Sequence, residues 1–184
     1  MQQTLPGTTI EVSSYKEDVA DRVLTNIFAA GGIVLSQMAT LTGLEPHTVQ
    51  NWVKRGFLAP PVHRLYSKRQ FTRVVLINML RDSMKIDHIV DLLTFVNGEL
   101  KREDDDRIDD SVLYNLFVNL RARMEGELPA QKSLDLVCDT LLASFEEKVP
   151  DSRRRIKRVL MVMVYAWISS RAKQTAEVLM KDLN

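Results

Sequence analysis

The chain has 184 residues, 45% of them hydrophobic, with 25 Lys and Arg against 24 Asp and Glu and a formal net charge of +1. That suffices for one or two small domains with real cores. It excludes a disordered chain and a protein that coats nucleic acid over its whole surface, and leaves room for a local basic patch. The single cysteine, Cys138, excludes an intrachain disulfide and a cysteine-based zinc cluster.

The first residues, MQQTLPGTTIEVSS, lack the basic start and apolar run of a secretory signal. They carry Pro6, Gly7 and several Thr, and read as a loose arm. Ser14-Tyr15-Lys16-Glu17 fits a capping box. Behind it Val19, Val23, Leu24, Ile27 and Phe28 recur at helical spacing until Gly31-Gly32. The first unit is therefore an N-terminal arm and helix over residues 1–33.

From Leu35 the elements shorten. Leu35, Met38, Ala39 and Leu41 mark a brief helix closed by Gly43. Pro46 suits a first helical position, where its missing N–H costs nothing, so a second short helix is expected from Pro46 to Lys54. Val49, Trp52 and Val53 form its buried side, and Gly56 ends it. Pro60-Pro61 forbids helix, and the stretch to Tyr66 must turn or form a small hairpin. Ser67-Lys68-Arg69-Gln70 is a second capping box, opening a helix with Phe71, Val74, Val75, Ile77, Met79 and Leu80. Residues 84–96 supply another amphipathic helix through Ile86, Ile89, Leu92, Leu93 and Val96.

Residues 99–107 hold one apolar residue and read as a charged linker, its acidic run a solvated segment and not a metal site. Three helical stripes follow: Ile108, Val112, Leu116, Phe117 and Leu120, then Leu134, Val137, Cys138, Leu141 and Phe145. The last begins near Asp151-Ser152 and is apolar on nearly every side from Val159 to Ile168, which predicts the most buried helix of the set. That run is about half the ~20 residues a membrane helix needs. The expected class is all-α with a small β wing, in a cytoplasmic protein without a membrane partner. Residues 108–184 are expected to be a helical dimerisation or sensing domain.

Two short helices joined at a glycine, the second polar on its free side, describe a helix-turn-helix. Its outward residues are His47, Thr48, Gln50, Asn51 and Lys54. Gln and Asn amides can pair with adenine edges, and Lys54 and Arg55 suit phosphate or guanine. The stretches LSQMATLTGLEPHTVQNWVKRGFLAPP, RLYS and MKIDHIVDLL resemble the winged-helix DNA-binding domain of the MerR family of transcription regulators. The resemblance covers roughly residues 34–96, about a third of the chain, and implies a winged helix-turn-helix domain at residues 34–98. It implies a helix-turn-helix, a wing with an Arg-x-Tyr element at Arg64 and Tyr66 that approaches the DNA backbone, and two further helices. The whole chain is also similar to a group of MerR-like bacterial proteins with a helical C-terminal half.

Together these readings predict a dimeric, sequence-specific regulator of transcription, with double-stranded DNA and a second copy of the chain as partners. Base reading falls to His47, Thr48, Gln50 and Asn51, and phosphate binding to Lys54, Arg55, Arg64, Tyr66, Lys68 and Arg69. Arg73 completes the basic set. A small-molecule effector would find Met161, Met163, Tyr165 and Trp167, whose soft and aromatic side chains suit a ligand pocket. No cofactor or metal is expected, and no glycine-rich phosphate loop or nucleophile motif suggests an enzyme. The alternative is a protein-interaction module on the same scaffold. It draws on Glu45, which would repel phosphate, and on Gln50, where the family usually carries an arginine.

Overall fold

The structure, a computed structural model, describes residues 3–97, 108–124, 131–147 and 149–181. The chain is mostly helical. Strands β1 (Gln3–Thr4) and β2 (Glu11–Val12) pair antiparallel, with Gln3 opposite Val12 and Thr4 opposite Glu11. Eight helices follow among the described residues: α1 (Val19–Ile27), α2 (Leu35–Thr42), α3 (Pro46–Lys54), α4 (Lys68–Leu80), α5 (Ile86–Asn97), α6 (Asp110–Arg123), α7 (Gln131–Leu142) and α8 (Ser152–Lys181). None is long and apolar enough to cross a membrane.

The N-terminal segment is not the loose arm its composition suggests. Leu5 is fully buried, the Tyr114 hydroxyl of α6 donates to the Pro6 carbonyl at 2.8 Å, and Asn78 of α4 donates to the Gly7 carbonyl at 3.0 Å. Gly7 has a φ of +74°, and a Cβ there would stand 2.5 Å from the Val75 carbonyl oxygen, so only glycine fits. The Ser14–Glu17 capping box does not form either. The Glu17 carboxylate pairs with Arg123 of α6, and α1 starts four residues later than the box would place it. Its N-cap is Asp18, whose Oδ1 accepts from Asn115 and Asn119 of α6 at 2.8 and 2.9 Å. Tertiary partners outcompete the local cap.

The box at Ser67 does form. Gln70 N–H donates to Ser67 Oγ at 3.2 Å and Ser67 N–H to Gln70 Oε1 at 2.8 Å. The helix it opens, α4, is the hub of the molecule. It packs against α2, α5, α6 and α8, and buries every residue from Phe71 to Leu80 except Asn78, which is half-buried. The expectation that α8 is the most buried of the last three helices is corrected too, since α6 buries seven of its 14 residues and α8 eight of its 30. Ile156, Val159, Leu160, Met163 and Val164 of α8 face the core, Val162 and Tyr165 are exposed, and every residue from Arg171 to Lys181 is exposed. A helix at the edge of a bundle buries one side, however apolar the other side is.

The expected linker at residues 99–107 lies outside the described residues. On either side of it, α4 and α5 pack against α6 and α8, and one hydrophobic core runs from Leu5 to Ala166. Cys138 is buried within that core, and burial pushes its thiol up to about 11.

Candidate nucleic-acid interface

Helices α2 and α3 meet at a glycine turn. Gly43 closes α2 with a φ of +69°, Leu44 turns inward, and Glu45 is extended before Pro46 opens α3. Val49 and Trp52 are buried beneath α3, and burying each side chain contributes roughly 1.5–3 kcal/mol. This anchoring fixes which side of α3 is free. His47, Gln50, Asn51 and Lys54, spaced at i, i+3, i+4 and i+7, form one exposed stripe. Thr48 lies beside the stripe and is half-buried.

The segment after Pro60-Pro61 is a two-residue turn and not an extended hairpin. Val62 and Leu65 exchange backbone hydrogen bonds of 3.1 and 2.8 Å, with His63 and Arg64 at its tip at φ values of +48° and +65°. Positive φ at both central residues is what a tight turn matched to strand twist requires. Tyr66 then pairs with Ile33, just ahead of α2, through hydrogen bonds of 2.8 and 3.0 Å. The turn is thereby tied to the start of the α2–α3 unit, and Arg64 is exposed beyond it.

The basic set divides on this geometry. Lys54 and Arg64 are exposed. Arg55 is exposed but steadied, with its guanidinium 4.4 Å over the Phe57 ring and 3.9 Å from Asp87 of α5. Pairs this open are worth little and yield readily to another anion. Lys68 is engaged by Asp21 of α1 at 2.7 Å and by the Thr25 hydroxyl at 3.3 Å. Arg69 is half-buried near Asp110, whose carboxyl is pushed up by burial, with Arg73 and, more weakly, Arg69 opposing that rise. Tyr66 is only 3% exposed, because the backbone pairing with Ile33 turns its ring into the core. Arg73 is buried as well, its Nε donating to Asp110 Oδ2 at 2.7 Å. Neither Tyr66 nor Arg73 belongs to an exposed basic face. Sequence reading missed His63, which shares the turn tip with Arg64. The two-residue gap between Val62 and Leu65 was the available signal.

The four residues expected to line a ligand pocket do not converge. Met163 is buried in the core, Tyr165 is exposed, and Met161 is half-buried. Trp167 borders a cavity lined also by the N-terminal segment and α6. Spacing by two residues turns successive side chains about 200° around a helix, which accounts for the scatter. The dense basic run at 153–158 is largely absorbed within the fold. Arg153 donates to the Phe145 carbonyl at 2.8 Å, Arg155 lies over the Phe95 ring, and Lys157 bridges Asp135 and Asp139 at 2.9 and 2.6 Å.

A family model described as a domain of unknown function, DUF1836, matches residues 20–117. The chain belongs to this family. The match runs from α1 into α6, so the DUF1836 region takes in the α2–α3 unit, the turn at His63-Arg64, the central helix α4 and the helix that holds Asp110. No curated protein matches the chain, and no solved structure does.

Proposed function

We propose that this DUF1836 protein is a sequence-specific DNA-binding regulator of transcription that acts as a homodimer, with a MerR-like winged helix-turn-helix at residues 34–98. The observation that carries the reading is the exposed stripe of His47, Gln50, Asn51 and Lys54 on a short helix pinned from behind by Val49 and Trp52. In this reading α3 enters the major groove, Gln50 and Asn51 read base edges, and Lys54, Arg55 and Arg64 hold phosphates on either side. A single reading head of this size contacts few bases, which favours a two-fold dimer.

Selection of bound sequences from a random duplex pool at two salt concentrations tests this. The expected result is an enriched two-fold symmetric motif. Replacing Gln50 or Asn51 by Ala should then cost about 1–3 kcal/mol on the selected site and relax preference at one base position. Lys54→Gln should weaken binding to all sequences alike and reduce the salt slope by about 1.

A second reading, a protein-interaction module on the same scaffold, is favoured by the acids on that face. Glu45 and Asp87 are exposed beside α3 and Arg55. Motif-free DNA binding that vanishes at the higher salt, with a partner protein retained on the same face, would select this reading instead.

A further inference from the structure

A partly open polar cavity lies away from α3. With a volume of about 490 Å³, it opens between the N-terminal segment, the C-terminal end of α4, α6 and α8. Its walls include Tyr15, Asn78, Asp82, Arg121, Trp167 and Arg171, together with residues 3–8. The Arg121 guanidinium lies 3.6 Å from the centroid of the Trp167 ring, and that of Arg171 lies 6.0 Å from it. Two cations thus share one indole, and burial first, with the charge of Arg171 adding to it, disfavours the charged form of Arg121.

Among the described residues neither arginine pairs with a carboxylate. Arg171 donates to Gln174 Oε1 at 3.3 Å, and the Nε of Arg121 is buried without a hydrogen-bond partner. A guanidinium carries five donors in a fixed fork that matches an oxyanion, and the buried Arg121 Nε is costly to leave unmet. Asp82 borders the cavity, so the wall carries two positive charges against one negative. The other polar side chains on the wall are already committed. Asn78 Nδ2 donates both its hydrogens to the Gly7 and Thr42 carbonyls at 3.0 Å each, and the Tyr15 hydroxyl donates to the Thr4 carbonyl at 2.5 Å. An incoming anion is thereby left to the two arginines.

We propose that this cavity binds a small organic oxyanion, a carboxylate- or phosphate-bearing molecule, through Arg121 and Arg171 with Trp167 as its flat wall. The volume falls in the range of small-molecule sites. This assignment is independent of any role for α3.

Titration calorimetry of the full chain with pyrophosphate and with citrate tests it and separates the two chemistries. The expected result is saturable one-to-one binding of at least one probe, weakened about tenfold or more by Arg171→Gln and by Arg121→Gln. Arg171 is exposed, so its variant keeps the test sound should Arg121→Gln fail to fold. Arg154→Gln, an exposed arginine about 25 Å away along the same helix, should leave binding unchanged. Absence of saturable binding by either probe, full affinity in Arg171→Gln, or an equal loss in Arg154→Gln would overturn the proposal.

Discussion

Arg73 stands in the middle of the most buried helix, where a charge has no solvent to stabilise it. Its Nε donates to Asp110 Oδ2 at 2.7 Å, and the other oxygen of Asp110 accepts from Asn97 of α5, so three helices meet at one carboxylate. The Arg73 and Asp110 side chains are 2% and 1% exposed, and both terminal nitrogens of Arg73 lack partners. A buried pair is weak evidence of net stabilisation, but breaking one is expensive because the surviving charge is left uncompensated. Asp110→Ala should therefore cost about 3–5 kcal/mol in denaturant unfolding. Replacing both residues by apolar ones of similar volume should recover most of that loss. A single-variant cost below about 1 kcal/mol would mean that water reaches the pair.

Between elements, the junction of α1 with α6 has a measurable acid dependence. Asp18 accepts from Asn119 and Asn115, and these hydrogen bonds, Asn119 first, hold its carboxyl below the usual range. Asn119 also accepts from the Asp18 backbone N–H at 2.8 Å. A depressed folded-state value means that the ionised form is the one favoured by folding. The contribution is fully present above the unfolded carboxylate value, near 4, and is lost as pH falls from there through the folded value. Asn119→Ala should remove about 1–2 kcal/mol at neutral pH and flatten the stability profile below about pH 4, measured by thermal melting across pH. An unchanged acid limb would show that other carboxylates dominate it. At the same scale, the failed cap at Ser14 and the formed cap at Ser67 have similar local sequences. They differ because Glu17 has Arg123 to pair with, whereas Gln70 reaches back to Ser67 and also donates to the Ala59 and Pro60 carbonyls at 3.0 and 2.9 Å.

For the whole molecule, continuity of the core is the decisive property. Helix α4 carries Phe71, Val74, Leu76, Ile77 and Leu80, all fully buried, and part of their cover comes from α6 and α8. Unfolding in urea should accordingly follow one transition, coincident by circular dichroism and tryptophan emission, with no plateau between two halves. A fragment ending at Asn97 would leave α4 and Asp110's partners uncovered, and should show neither a cooperative melt nor dispersed amide resonances. A sharp melt by that fragment would establish that residues 1–97 fold without the C-terminal helices.

The sequence by itself determined the elements whose signals are local. Gly43, Pro46, Gly56 and the Ser67–Gln70 box act through the backbone of their own neighbours, and α2, α3 and the start of α4 fall where those residues put them. The free side of α3 was legible for the same reason, since Val49 and Trp52 leave only one face to solvent. What the tertiary structure alone decided involves partners far apart in the chain. It ordered the N-terminal segment through Tyr114 and Asn78, buried Arg73 against Asp110, turned Tyr66 inward, engaged Lys68 with Asp21, and gathered Arg121, Trp167 and Arg171 around one cavity. A charge or ring in a sequence carries its chemistry but not its neighbours, and whether it meets solvent, a counter-ion or the core is settled only when distant segments pack.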